Sequence, residues 1–528
     1  MNVAIIAPPY PLEEAPSPPL GVTYVAAAFE SAGTKVRIID YIVSRYTEEK
    51  LKHELEQLSP RIVGATSVTM NFPIAASILE TAKKLEPSAI TVMGGPHVSF
   101  DAVNTLKRHP GIDMIVIGEG EDTIIDVVRT IESDGPWSSV RGIAYRDGDR
   151  IVMTEPRELI ENLDRLPLPA RHLLPLSRYQ ALGFPVSIIT SRGCPNACIF
   201  CLGRRMVGKK VRHRDPSLVV DEIAHLLSFG FSRINIADDL FTANKKKVRD
   251  VCREIGRRGL TFSWSAFSRV NTVDVETLEL MRDAGCDAVS FGIESGNPDM
   301  LKRIRKGITL DQARNAVALC KKVGILAHAS FMVGLPGETT HTLQETGDFA
   351  ESLDIEYGFH FLAPFPGTTV REKIDAFDLE ILTDEWDRYD ANSAIVRTSA
   401  LSADEINEFV AFYEKAGKEA WERSVQGYYA GTNTPLENMS TEGQLRTQIV
   451  FRILSEDLVE ECGRISPSEE MKAADALSLK IAGRTGCDQD LVTKTIKSFI
   501  EKGQIKKGSL EGSCRWYWTH NKRVDRLA

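Results

Sequence analysis

The sequence predicts an α/β fold: two successive units of alternating strand and helix, then a mainly helical C-terminal region ending in a winged-helix-like module. Three observations carry this. Short apolar runs closed by Gly or Pro alternate with amphipathic stretches over residues 1–135 and again over 186–385. A loop holding three cysteines opens the second unit. Beyond residue 441 the pattern changes to three helices and a hairpin. Residues 136–185 read as a connector and 386–440 as a helical extension, a division that suits 528 residues, long for one domain.

Residues 2–7 are an apolar run closed by Pro8-Pro9 and predict a buried first strand. Pro18-Pro19-Leu20-Gly21 opens a helix that runs to about residue 31 and stops at Gly33. A strand over 35–40, a helix over 48–58, a strand over 61–66 and a helix over 75–85 follow. A strand over 89–93 ends in Gly94-Gly95-Pro96-His97. A fifth strand, over 114–117, ends in Gly118-Glu119-Gly120-Glu121, with a helix from 122. This alternation predicts a doubly wound parallel sheet, whose ligands bind beyond the carboxyl ends of its strands, where these small-residue turns fall.

In the connector, residues 142–152 read as a hairpin around Asp147-Gly148, and Leu166-Pro167-Leu168-Pro169 as an extended strap. From there, strands over 186–190, 232–237, 261–266, 288–293, 326–333 and 357–362 alternate with helices over 215–229, 245–257, 275–284, 310–323 and 340–353. Six strands with intervening helices predict a partial βα barrel, with its chemistry at the carboxyl ends of the strands.

Ser191-Arg192-Gly193-Cys194-Pro195-Asn196-Ala197-Cys198-Ile199-Phe200-Cys201 spaces its cysteines C-x3-C-x2-C. Thiolates bind soft iron well, and such runs hold iron–sulfur clusters. A zinc knuckle would need a fourth Cys or His at short spacing, and the next histidine, His213, is twelve residues on in a basic segment. Three plain buried thiols are the other reading. The motif, following a short strand, resembles the radical S-adenosylmethionine (SAM) superfamily. That resemblance implies a [4Fe-4S] cluster held by Cys194, Cys198 and Cys201. The fourth iron would chelate the amino and carboxylate groups of SAM, whose reductive cleavage gives a 5'-deoxyadenosyl radical.

The first unit is similar to the Rossmann-like cobalamin-binding domain that precedes the radical domain in one subgroup of that superfamily. The resemblance implies cobalamin contacts from Ser67, Val68, Thr69 and Met70, from Gly94, Gly95, Pro96 and His97, and from Gly118, Glu119 and Gly120. Glycines let the backbone approach a bulky ligand, Ser67 and Thr69 offer hydroxyls to the nucleotide tail, and residues 68–72 would face the lower side of the corrin. For any one glycine, an ordinary strand-end turn is the competing reading. None of the ten histidines follows an Asp by two residues. The Asp-x-His-x-x-Gly motif that ligates cobalt in many cobalamin domains is therefore absent, as it is in the radical subgroup. A domain that binds no cobalamin would lack it too. His97 is readable as a cobalt ligand or, more plainly, as a turn histidine bonded to nearby backbone.

The resemblance also implies SAM contacts at successive strand ends. Asp238-Asp239 would hold the amino group and Arg269 the carboxylate. Glu294 with Ser295-Gly296 would meet the ribose and methionine, and Gly334, within residues 331–338, the adenine. Singly, each acid reads as a helix N-cap or surface charge. Their recurrence at successive strand ends favours function for Asp238 and Glu294. The basic run Arg204-Arg205, Lys209-Lys210 and Arg212 reads as a solvated face.

A helix over 404–421 with Ile406, Phe409, Val410 and Tyr413 on one face, a polar break over 427–438, helices over 444–458, 469–481 and 489–502, and a hairpin over 504–519 complete the chain. The last 38 residues hold nine Lys or Arg against three Asp or Glu. That edge suits an acidic protein surface or a capping role, and nucleic acid is not the expected partner of a chain whose net charge is −9. No run of eighteen apolar residues predicts a membrane span, and the start lacks the basic and apolar regions of a signal peptide. Six scattered cysteines make no disulfide framework, so a reducing cytoplasm is expected.

The resemblance as a whole implies a cobalamin-dependent (class B) radical SAM methyltransferase, moving a methyl group from methylcobalamin to an unactivated carbon. A ferredoxin or flavodoxin would supply electrons. The appended C-terminal module points to a peptide or protein substrate. The specific expectation is the enzyme type that C-methylates a glutamine of methyl-coenzyme M reductase. A radical cyclase, a ring-contracting enzyme or a lipid-modifying enzyme competes within the class. An iron–sulfur redox sensor or nucleic-acid-binding protein competes from outside it.

Overall fold

The computed structural model describes residues 1–466, 472–510 and 513–519. The first residues of the helix expected over 469–481, the tip of the expected hairpin at Glu511-Gly512, and the basic stretch 520–528 lie outside the described residues.

Strands β1 (Asn2–Ala7), β2 (Lys35–Asp40), β3 (Ile62–Thr66), β4 (Ile90–Gly94) and β5 (Met114–Val116) form a parallel sheet in the order β2-β1-β3-β4-β5. Both faces are covered, so the strands are nearly continuous apolar runs: Val3, Ile5 and Ala7 enter one core, Ala4 and Ile6 the other. The helix Glu48–Leu58 shows how local sequence meets that core. Thr47 caps it by accepting from the Lys50 N–H, a contact type of about 1 kcal/mol, and Leu51, Leu55 and Leu58 form its single buried stripe.

The sheet extends further than the sequence pattern suggests. β6 (Ile143–Asp147) and β7 (Arg150–Met153), read above as part of the connector, add antiparallel to β5, with Met114 opposite Tyr145. The hairpin covers what would be an open parallel edge. A helix Pro96–Arg108 also follows β4 where the sequence suggested only a turn. It is bent at Asp101 (φ −130°), which breaks its apolar period.

The second sheet comprises β8 (Val186–Ile188), β11 (Arg233–Ile236), β12 (Ser263–Ser268), β13 (Cys286–Glu294), β14 (Leu326–Val333) and β15 (Glu356–Phe361). All are parallel, in the order β15-β14-β13-β12-β11-β8, which makes the barrel partial. Between β8 and β11, the short strands β9 (Ser191–Arg192) and β10 (Arg212–His213) pair antiparallel and close the base of the cysteine loop.

The two sheets share one core, because Ala170, Leu174 and Tyr179 of the connector pack with the inner face of the first sheet and with Val186 and Ile188. Polar contacts fix the join: Ala170 N–H donates to Thr23 O at 3.0 Å, and Ser17 Oγ to Pro185 O at 2.7 Å.

The C-terminal region begins with the long helices Ala403–Ala430 and Pro435–Ser455. The expected break over 427–438 shrinks to a short turn: Gly431 (φ +68°) ends the first helix, and a Thr434–Glu437 capping box starts the second. Helices Leu458–Cys462, Ala473–Thr485 and Gln489–Glu501 and the strand pair Ile505–Leu510 and Ser513–Trp518 give the winged-helix-like order. The module is anchored on the helix Leu176–Leu182, which precedes β8, where Arg178 donates to Asp457 at 3.0 Å and to Val43 O at 2.7 Å. Among the described residues, no helix is long and apolar enough to cross a membrane.

Candidate active site

The cysteine loop leaves β9 through Gly193, whose φ of +115° and lack of a side chain are both required, since a Cβ there would lie 2.2 Å from Lys210 O. Each cysteine sulfur receives an N–H. Asn196 Nδ2 donates to Cys194 at 3.4 Å, Arg269 Nη1 to Cys198 at 3.7 Å, and Gly203 N–H to Cys201 at 3.3 Å. Such donors stabilise thiolate character and tune a bound cluster. Burial pushes the Cys201 thiol up, and the neighbouring Cys198, Cys194 and Asp239 add to it against the Gly203 N–H. A cationic metal centre would relieve that crowding. Among the described residues, no three His, Cys, Asp or Glu form a ready-made single-ion site.

The loop borders a cavity of about 470 Å³ at the carboxyl ends of β11, β12 and β13, which brings together several residues the sequence singled out. Arg269 is buried there, its Nε has no partner, and among the described residues no carboxylate pairs with it. Asp239 lines the same cavity and accepts from Gly193 N–H at 3.2 Å. Glu294 sits at a register shift of β13 with φ of +77°, a strained setting for a residue with a side chain. Its Oε1 accepts from Lys306 Nζ at 2.7 Å, and a Cβ at Gly292 would lie 2.5 Å from that oxygen.

Three other SAM candidates lie elsewhere. Asp238 is buried with its oxygens taken: Oδ1 accepts from Thr190 N–H, and Oδ2 from the Thr190 and Ser191 hydroxyls, each at 2.6 Å. Ser295 is buried with its hydroxyl against Thr346 at 3.1 Å. Gly334 donates its N–H to Glu338 Oε2 at 2.7 Å and is not part of the cavity lining. Sequence reasoning missed Lys306, Arg305 and Phe267, all of which line the cavity. Lys306 belongs to a loop with no period to read, and only its place before Gly307 hinted at it.

The three loops beyond β3, β4 and β5 meet at one edge of the first sheet. The first two touch at Gly95 (φ +106°), since a Cβ would lie 2.5 Å from Ser67 O and 2.8 Å from Thr66 Oγ1. Gly94, Gly95, Gly118 and Gly120 carry no side chain into this edge, and Val68 stands 41% exposed on it, which fits a bulky, largely apolar ring. The hydroxyls point inward: Ser67 Oγ donates to Met93 Sδ at 3.8 Å, and Thr69 Oγ1 lies 3.3 Å from His97 Nδ1. Met70 is half-buried beside them, and Pro96 starts the helix that carries His97. His97 is enclosed between the rings of Phe72 (4.1 Å) and Trp386 (4.9 Å). Burial first, then Arg371 and His109, hold it down at about 3, so its imidazole is neutral. It bonds to a side chain rather than to backbone, and its Nε2 is buried without a partner. Glu119 is committed to protein partners: Arg192, Arg212 and the Ile160 N–H.

Comparison with known proteins matches the same two units. Residues 188–350 match the Radical SAM superfamily and residues 14–128 the B12 binding domain. An uncharacterized methyltransferase of Pyrococcus horikoshii is 35% identical over 404 residues, covering 75% of this chain and 88% of that protein. The anaerobic magnesium-protoporphyrin IX monomethyl ester cyclase of Cereibacter sphaeroides is 32% identical, covering 75% and 67%. The solved structure of the cobalamin-dependent S-adenosylmethionine radical enzyme OxsB, with aqua-cobalamin and S-adenosylmethionine bound, shares the fold at a TM-score of 0.69. It is 17% identical and covers 95% of this chain and 84% of that one. The chain thus belongs to the cobalamin-dependent radical SAM methyltransferase family, and its cofactors are a [4Fe-4S] cluster, S-adenosylmethionine and cobalamin.

Proposed function

We propose that this enzyme C-methylates an unactivated carbon of a peptide or protein, a glutamine of methyl-coenzyme M reductase being the first target to test. The observation that supports SAM chemistry here is the buried Arg269 beside Cys198, whose Nε has no partner and which meets no carboxylate among the described residues, in a cavity bordered by the cysteine loop. When bound, the cluster and SAM supply a radical and cobalamin supplies a methyl group. The chain's own residues bind and orient. Arg269 would take the SAM carboxylate, Asp239 the amino group, and Glu294, steadied by Lys306, the ribose hydroxyls. Arg269, Glu294 and Lys306 are buried, which excludes water and strengthens their polar contacts, while Asp239 stands at the open side of the cavity. Electrons would come from a ferredoxin or flavodoxin.

The peptide reading rests on the C-terminal module. A small anionic substrate is the second reading, and two observations favour it. Among the described residues, none lining the cavity lies beyond Thr369, so no described part of the module lines it, and Arg204 and Arg305 at the cavity have no carboxylate partner there.

Both readings are tested by incubating the reduced holoenzyme with methyl-deuterated SAM and a synthetic peptide carrying the glutamine. Mass spectrometry of peptide and extract metabolites then locates the label. The first reading expects a deuterated methyl group on the peptide glutamine together with 5'-deoxyadenosine. Label on an anionic metabolite alone would replace it with the second. Cleavage of SAM with no methylated product would overturn both.

A further inference from the structure

β9 and β10 place two arginines directly opposite each other, Arg192 facing Arg212, at the base of the loop that carries Cys194, Cys198 and Cys201. Like charges opposed across a ladder repel. Glu119 and Glu121 offset that repulsion, and Glu119 alone meets both arginines. Glu119, in the loop beyond β5 of the other sheet, takes Arg192 Nη1 on Oε1 at 3.0 Å. It takes Arg212 Nη1 on Oε2 at 2.9 Å and Arg212 Nη2 on Oε1 at 3.0 Å. Glu121 takes the other arm of Arg192, whose guanidinium also lies over the Tyr24 ring at 5.2 Å. Arg212 in turn donates to Val207 O at 2.8 Å and to Ile160 O at 2.6 Å. All four charged side chains are buried or nearly so.

The geometry points to Glu119 as a positioning residue: it grips both legs of the cysteine loop at once and so sets how far the cobalamin-side loops stand from the cluster. Arg192 is two residues before Cys194, so movement of the grip is passed directly to a cluster ligand. Burial opposes charge on Glu119, but the Arg212 hydrogen bonds, the Ile160 N–H and Arg192 outweigh it and hold the carboxyl below its usual range. The group is thus anionic and the bridge charged. Group transfer between two bound partners is steeply sensitive to their separation. A rigid, charged tie between their loops supplies that control.

The bridge concerns the two cofactors and rests on the proposed methylation only for its second readout. Glu119→Gln, which keeps the shape and removes the charge, is prepared as reconstituted holoenzyme, with iron and cobalamin measured first. Arg192→Lys and Arg212→Lys, which keep charge and lose the forked geometry, are prepared alongside. Pulsed electron paramagnetic resonance then reads the spin–spin coupling between cob(II)alamin and the reduced cluster, with no substrate present. The expected result is a changed or broadened coupling in variants that hold both cofactors. Methylated product per 5'-deoxyadenosine should fall by about tenfold to a hundredfold. Coupling identical to wild type with both cofactors bound would overturn the inference. So would loss of cobalamin from Glu119→Gln alone, which would make Glu119 a direct contact. Failure of all three variants to give folded holoenzyme would make the bridge structural only, which also overturns it. A shifted coupling with no methyl transfer even in wild type would instead sink the proposed reaction and leave the bridge standing.

Discussion

Arg269 Nη1 lies 3.7 Å from Cys198 Sγ, so the end of the third barrel strand meets the cysteine loop through a buried cation that pairs with no carboxylate among the described residues. An unpaired buried charge is costly unless a ligand completes it. Arg269→Met is expected to weaken SAM binding by about tenfold to a hundredfold, the range of a lost charge-assisted hydrogen bond. Iron content should stay unchanged. Anaerobic calorimetry with SAM checks this, and wild-type affinity in the variant would remove Arg269 from the site.

Asp238 and Asp239 are adjacent, yet they should fail in different ways. Asp238→Asn turns an acceptor of three hydrogen bonds into a group that meets those donors with an amide. It should cost about 1–3 kcal/mol of stability, seen in the urea midpoint. Asp239→Asn leaves the core intact, so stability should hold while SAM affinity falls. The reverse pattern would exchange their roles.

Gly95→Ala forces a side chain into backbone at a φ of +106°. The loops beyond β3 and β4 must separate, at about 1–3 kcal/mol. Cobalamin absorbance retained after gel filtration should drop sharply, while the iron content of the cysteine loop persists. Normal cobalamin retention would show that these loops do not cradle it.

Glu338 accepts from the Gly334 and Leu335 N–H groups through Oε2, while its Oε1 is buried without a partner. Burial pushes it up from 4.5 to about 8 against those two donors. Its folded value lies above its unfolded one, so the folded state binds more protons between them. Stability from this group is therefore full below the unfolded value and is lost as pH rises toward about 8. Glu338→Gln mimics the neutral form. Its apparent thermal midpoint should fall less than wild type's between about pH 5 and about pH 9. Parallel falls would place the titration elsewhere.

Much of this protein is legible from local pattern. Strand and helix periods place the longer helices around the two sheets, Pro96–Arg108 excepted, because a residue's neighbours two and four positions away decide which face it shows. The cysteine spacing is legible because Cys194, Cys198 and Cys201 fall within eight residues of one loop. The helix Pro96–Arg108 was missed because its bend at Asp101 scrambles the period, and the β6–β7 hairpin was misassigned because pairing with β5 is invisible to local sequence.

The sequence by itself determined the close spacing of Cys194, Cys198 and Cys201, most of the alternating strands and helices, and the glycine turns beyond β3, β4 and β5. Only the tertiary structure decided that Asp238 faces inward and Asp239 the cavity, since the choice is made by hydroxyls of Thr190 and Ser191 nearly fifty residues upstream. Only it decided the part played by Glu119, whose partners lie 73 and 93 residues downstream. The physical reason is common to both. A charge takes its role from whatever counter-charge or donor the packed fold brings within hydrogen-bonding reach, and no periodicity along the chain encodes that meeting.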